Sequence, residues 1–238
     1  TFAATTTATA TSAPGTYPIT PTASGANLAD YAVTYTAGTL TVTAGSSTLG
    51  IGVPATGIYG GTATAIFTGN YSGTPVLTSS TAAVCTVSGA TVSYVGVGAC
   101  ALSATSAAGN YAAGTATASI TVAKAPLTVL ASDASRVYGA ANPTFTGTIT
   151  GAVNSDTFTF AATTTATATS APGTYPITPT ASGANLADYA VTYTAGTLTV
   201  TAGSSTLAIG VPATGIYGGT ATAIFTGNYS GTPVLTSS

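Results

Sequence analysis

Apolar and hydroxyl residues alternate with a period of two along most of this chain. In residues 126–133 (PLTVLASD) and 144–150 (TFTGTIT) the alternation is clear, and Phe145, Gly147 and Ile149 share one face. That period is the signature of strands with one buried face. The same pattern marks TLGIGV (48–53), TATAIFTG (62–69), VCTVS (84–88), TVSYV (91–95), ACALSAT (99–105) and TATASITV (115–122). Turn sequences separate them: GIYGG (57–61), AAGNYAAG (107–114), RVYGAANP (136–143) and APG (171–173). Turns at such short, regular intervals predict an all-β chain built as a tandem array of small immunoglobulin-like β-sandwiches. Two local expectations follow. Pro176 and Pro179 place TYPITPTA (174–181) at a sheet edge. YAVTYT, the Ala195-Gly196 turn and TLTVTA read as a terminal β-hairpin.

Residues 159–238 repeat residues 1–80 at an offset of 158, with one difference, Gly50 against Ala208. The period is too long for a solenoid and divides into two unlike halves, an A-B-A-B arrangement. The expected domains are 1–44 (C-terminal part of an A domain), 45–123 (complete B), 124–202 (complete A) and 203–238 (N-terminal part of a B domain). The two partial domains are of different types and cannot complete each other. Either the sequence is excerpted from a longer polymer, or strands of neighbouring chains finish each end. Alternation of unlike domains reduces swapping between neighbours.

Composition sharpens this reading. Only 3% of residues are charged, against about 25% in ordinary soluble domains. Glu, Gln, His, Met and Trp are absent, and Thr dominates the polar positions, which favours strands over helices. The net charge is −2 and the only basic residues are Lys124 and Arg136, so no basic surface exists to follow a phosphate backbone and nucleic acid is not an expected partner. So few charges also remove the usual barrier to self-association. Mean hydropathy is +0.49, yet Thr, Ser, Gly or Pro interrupts every apolar run short of a membrane-spanning helix. A transmembrane β-barrel fits poorly without Trp or aromatic girdles. Any secretion signal lies outside the sequence, which opens directly in strand-like residues.

Residues 124–202, with RVYGAANP, GTYPITP and ADYAVTYTAGTLTVT, resemble the bacterial MBG repeat domain of the YGX type. Residues 45–123, with AVCTVSGATVSYVGVGACALSAT and AAGNYAAG, resemble bacterial Ig-like repeats that carry a cysteine pair. Both resemblances imply small β-sandwiches of the kind that recur as stalks in large secreted and surface proteins.

Individual residues offer little chemistry. Cys85 and Cys100, with no His or third Cys nearby, read as a disulfide, the alternative being two buried free thiols. Closing that loop is worth about 3 kcal/mol and implies an oxidising, extracytoplasmic setting. Catalysis lacks a base to activate the hydroxyls, so the chain is expected to be no enzyme and to carry no cofactor or metal. Asp133, Asn142 and Asp156 form the best candidate Ca²⁺ set, against a reading as turn residues in which an aspartate near Arg136 makes a weak surface ion pair. Asp188, repeated as Asp30, is expected to close its own turn. Lys124 could seed an isopeptide bond to an Asn or simply be a solvated linker lysine. Asn70 and Asn228 head the sequon-like triplets Asn70-Tyr71-Ser72 and Asn228-Tyr229-Ser230. Tyr59, Tyr138 and Tyr217, each before a Gly, are expected to plug sandwich ends, with Gly supplying positive φ.

These readings converge on a structural repeat of a bacterial extracellular filament or cell-surface stalk that associates with other copies of itself. The alternatives are the spacer of an adhesin whose binding tip lies elsewhere, or a Thr-rich face that binds surface glycans or ice. The scarcity of titratable groups predicts a stability nearly independent of salt, and of pH from about 3 to 9.

Overall fold

The computed structural model describes residues 1–211, 214–220, 222–229 and 231–236. It is all-β: the described elements are strands apart from two one-turn 3₁₀ segments, Leu28–Asp30 and Leu186–Asp188. No helix among the described residues is long and apolar enough to cross a membrane. The chain divides into two compact units. One comprises residues 1–127, 151–157 and 183–190, and the other 128–150, 158–182 and 191–238.

The first unit opens with β1 (Phe2–Thr6), β2 (Gly15–Ala23) and β3 (Gly38–Val42), an antiparallel sheet in the order β1-β2-β3. No residue before Leu49 is buried. The sandwich follows, from β4 (Gly50–Gly52), β5 (Thr56–Ile58), β6 (Thr62–Thr64), β7 (Ile66–Thr68), β8 (Ser72–Ser79), β9 (Cys85–Ser88), β10 (Thr91–Tyr94), β11 (Gly98–Ala107) and β12 (Gly114–Ala123). One sheet is ordered β6-β10-β9 and the other β5-β12-β11-β8, with β4 and β7 paired separately. Alternate residues point inward, as the period of two requires: Cys100, Leu102, Ala104 and Ser106 of β11, Ile120 and Val122 of β12, and Val92 and Tyr94 of β10 are all buried. Cys85 begins β9 and Cys100 lies in β11. They are joined by a disulfide with Cα atoms 5.6 Å apart, which staples one sheet to the other.

The remaining strands are β13 (Ala125–Ala131), β14 (Ala134–Val137), β15 (Gly147–Thr150), β16 (Thr159–Thr163), β17 (Gly173–Ser182), β18 (Tyr189–Thr194) and β19 (Gly196–Thr201). They form the sheets β15-β13-β18 and β14-β19-β17-β16. Ala131, Ala166, Ile177, Leu198 and Val200 make the core of the second unit, with Phe145, Phe160, Ala162 and Tyr175 packed against it. A short pair, β20 (Ala208–Gly210) and β21 (Ile224–Thr226), follows.

Both local expectations are corrected here. YAVTYT and TLTVTA form no hairpin, because β18 and β19 belong to different sheets. Ala195 alone separates them, too short for a two-residue hairpin turn. Gly196 presses so closely on the Ser132 carbonyl that a Cβ there would meet the oxygen at 2.6 Å. TYPITPTA is not an edge strand either, since β17 lies between β19 and β16. It changes partner midway: residues 173–177 pair with β19 and 178–182 with β16. Pro176 and Pro179 therefore each sit in a half with one ladder, which leaves the ring nitrogen a side with no bond to break. The threonine rank TTTATAT (163–169) leaves the strand at Thr163, and Ala166 turns into the core.

Candidate functional site

The densest polar arrangement lies in the first unit, where residues 151–157 and 183–190 pack with the disulfide-bearing sandwich. It centres on Asp156. Its carboxylate accepts hydrogen bonds from Tyr189 Oη at 2.7 Å, Tyr59 Oη at 2.9 Å and Asn185 Nδ2 at 2.6 Å. The two tyrosine rings meet edge to face, with centroids 5.3 Å apart, a geometry that adds to their burial energy. Tyr59 is 3% exposed and Tyr189 2%.

Local backbone chemistry explains how these groups converge. Asn154 and Ser155 both take left-handed φ values, 53° and 62°, a conformation costing about 1–2 kcal/mol per residue with a Cβ, least for Asn. The tight turn they make aims Asp156 at the two hydroxyls, and Asn154 Nδ2 donates to the Tyr94 carbonyl at 3.3 Å. Gly60, at φ 81°, receives Val153: a Cβ on Gly60 would lie 2.4 Å from a Val153 methyl. Tyr189 also closes on this turn: its Oη accepts from the Val153 amide at 3.0 Å and shares its one proton between Asp156 and the Val153 carbonyl, 3.1 Å away. Beside it, Asp188 Oδ1 accepts the Val97 amide at 3.1 Å. Asp188 therefore does not close its own turn. The 3₁₀ segment of residues 186–188 presents the carboxylate to a backbone donor 91 residues away in sequence.

The electrostatics follow from burial and from these donors. Burial pushes the Asp156 carboxyl up, but the bonds from Tyr189, Asn185 and Tyr59 outweigh it and hold the pKa below its ordinary value. Burial, then the neighbouring carboxylate, raises Tyr189 to about 12 and Tyr59 in the same direction. The Tyr94 hydroxyl, raised by burial, is buried without a hydrogen-bond partner. An adjoining cleft of about 460 Å³ is lined by glycine backbone, Pro54, Ile58, Tyr94 and Val153. Thr56, Thr62 and Tyr59 add hydroxyls to the lining, and no charged residue joins them. The arrangement fastens two loops to a sandwich.

The second unit contains a different polar centre. Arg136 is only 7% exposed. Its Nε donates to Asn142 Oδ1 at 2.7 Å and its Nη1 to the Val137 carbonyl at 3.2 Å, while Nη2 donates to the Thr167 carbonyl. Asn142 Nδ2 in turn donates to the Ala166 carbonyl at 2.7 Å. The expected surface ion pair is thus replaced by a buried guanidinium on neutral acceptors, because the YGX turn folds over it. Asp133 accepts the Thr197 amide at 2.7 Å instead.

The other sequence candidates fall as follows. Asp133, Asn142 and Asp156 are each committed to protein hydrogen bonds. Among the described residues no group of three or more His, Cys, Asp or Glu could hold a metal. Lys124 is exposed, whereas an isopeptide bond needs a buried lysine beside an acid. Asn70 is exposed. Asn228 uses its amide internally, accepting from Thr206 and donating to the Ser204 carbonyl, and Ser230 of its triplet lies outside the described residues. Gly60, Gly139 and Gly218 do adopt positive φ. Of the tyrosines before them only Tyr59 plugs a core, while Tyr138 is 49% exposed and Tyr217 stands free in solvent.

A family model adds to this picture. Residues 1–41 and 127–199, a little under half of the chain, match the MBG domain of the YGX type. The matched stretch at 127–199 contains the Arg136 centre and the loops that carry Asp156 and Tyr189, while the cysteine-bearing sandwich lies outside it. No curated protein sequence matches the chain. Among solved structures, the chain is similar to a C-terminal 282-residue fragment of intimin in complex with the intimin-binding domain of its translocated receptor. That match has 18% identity, a TM-score of 0.30, and covers 49% of this chain and 42% of that one. Domains 4–9 of the surface layer protein SbsC match at 14% identity and TM-score 0.24, over 82% of this chain and 36% of that one. Drosophila N-cadherin EC1-4 matches at 9% identity and TM-score 0.26, over 78% and 58%. The chain thus spans between about a third and three fifths of the length of each.

Proposed function

We propose that this chain is a repeat segment of a bacterial extracellular filament or cell-surface stalk, and that its function is mechanical rather than catalytic. The observation that carries the reading is the repetition itself: an 80-residue stretch recurs with one substitution in an all-β chain whose Asp156 carboxylate and buried Arg136 guanidinium are spent on internal hydrogen bonds. A unit that serves equally well at successive positions supplies length, not a unique site. The Cys85–Cys100 staple suits an oxidising exterior. The Asp156 centre supports the same reading, because it joins the cysteine-bearing sandwich to loops of the MBG-matched stretch in one compact unit. The sequence around Tyr59 recurs at Tyr217 and that around Tyr189 at Tyr31, so the two tyrosines of the join belong to the repeated stretch, while Asp156 lies outside it.

Electron microscopy of the native material at near-atomic resolution tests this. Paired or wound chains of beads would support a self-assembling filament, and the same images would show whether Asn70 carries sugar. Isolated beaded strands that end in a different domain would overturn the filament in favour of an adhesin spacer.

A further inference from the structure

We propose that the chain binds a second copy of itself through the free edge of β16 and, at the same repeat position, of β1. The proposal rests on the self-assembling reading above and names the surface that would carry it. β16 is the last strand in the order β14-β19-β17-β16, so its single ladder with β17 leaves backbone donors and acceptors open on the other side. Natural edge strands are normally blunted by charge, proline, bulges or brevity, and most edges of the two sandwiches here are, β3 being a second bare edge of the same length as β16. β8 carries Pro75 and a register shift opposite residues 105–107. β5 and β14 are three and four residues long, and β18 adjoins the Asp188 carboxylate. β16 has none of these devices: residues 157–171 contain no charge, proline or glycine.

What fits this edge is an extended, uncharged strand with small or apolar residues inward and hydroxyls outward. The edge itself is such a strand. Thr159, Ala161 and Thr163 are exposed, while Phe160 and Ala162 face the core. Antiparallel pairing about a two-fold axis through Ala161 would set Thr159 opposite Thr163 of the second copy and Phe160 opposite Ala162 of the second copy. Core-facing residues then stay on one side in both chains, as register demands. Because β1 repeats the segment with the same pairing to its neighbour, Phe2↔Ala23 matching Phe160↔Ala181, each chain presents this edge twice, in β1 with both faces exposed. Two isologous contacts per chain allow assembly beyond a dimer.

Sedimentation velocity on the disulfide-intact chain, with variants of the edge, decides the matter. The wild type is expected to form dimers and larger species as concentration rises. The double variant A3K/A161K sets like charges directly opposite across each pairing and is expected to sediment as a monomer with an unchanged circular dichroism spectrum. A161C is expected to give disulfide-linked dimers under mild oxidation, whereas T197C, exposed on an inner strand, does not. A monomeric wild type overturns the proposal and leaves an unassociated stalk for microscopy to judge. Association undiminished in A3K/A161K, or equal crosslinking by A161C and T197C, overturns the edge while the filament reading stands on another contact.

Discussion

Tyr59 donates a hydrogen bond to Asp156 at 2.9 Å across 97 residues of chain. Neither residue has a role in its own strand or turn that requires the other, so the bond measures the attachment of the 151–157 loop. Tyr59→Phe keeps the edge-to-face ring contact and removes only the bond to a charged acceptor, a loss of about 1–2 kcal/mol. Asp156→Ala strands three donors and is expected to cost more. Urea titration gives the totals. Hydrogen exchange should place the loosening in residues 151–157 and 183–190 and leave the amides of β11 and β12 protected.

The same carboxylate shapes the pH profile. Asp156 is held below the ordinary Asp value of 3.8 in the folded chain, so its contribution is present above that value and is lost as pH falls through the folded pKa. Tyr189, raised from 10.0 to about 12, contributes fully below pH 10 and loses that contribution as pH rises through the folded value. Stability should therefore be flat between these limits and fall at both ends. Asp156→Asn should abolish most of the acid limb, and Tyr189→Phe should reduce the alkaline limb, leaving the part that the also-raised Tyr59 and Tyr94 supply, in thermal melts taken across pH.

Much of the fold was legible because strand pairing is written locally. The repeated segments reproduce their registers, Gly15↔Val42 in one copy and Gly173↔Val200 in the other. Burial is not written locally: Leu40 is 37% exposed and its repeat counterpart Leu198 is fully buried, since β13, β15 and β18 face only the second. For the same reason Tyr31 is 71% exposed and Tyr189 buried, though their flanking sequences match through residue 80 of the repeat. Asp156 lies outside the repeated stretch and has no counterpart in the sequence, and of the two tyrosines only Tyr189 bonds to it. Period-two patterns identify strands but not which sheet takes them, and so the pattern alone does not separate β18 and β19, which lie in different sheets, from a hairpin. The Asp156 centre was hidden because its members lie 29, 33 and 97 residues apart. The left-handed Asn154-Ser155 turn, without glycine, gave no signal.

The disulfide should matter more here than in a charged domain of equal size, since few ion pairs or caps supplement the core. Cys85 and Cys100 are fully buried and link the two sheets. Replacing both with Ala removes the cross-link from the unfolded state, about 3 kcal/mol for a loop of this length. The loss should appear as a lower urea midpoint for residues 45–123, followed by exchange at Val92 and Leu102, with the second unit's core at Ile177 and Leu198 unaffected.

Arg136 offers the sharpest test of the second unit. Its guanidinium satisfies the Thr167 and Val137 carbonyls and fixes Asn142, which holds the Ala166 carbonyl. Ala166 is itself part of the core, so the cation ties the 163–169 stretch to the YGX turn. Arg136→Ala leaves these acceptors buried and unpaired and should cost about 2–4 kcal/mol. Arg136→Lys keeps the charge but, as a single ammonium, cannot span acceptors spread over a planar fork, and should recover less than half of the loss. Arg136→Met, which preserves apolar volume, distinguishes packing from bonding. If packing dominated, Met would outperform Lys in a thermal melt, and the ranking expected from the geometry is wild type, then Lys, then Met, then Ala.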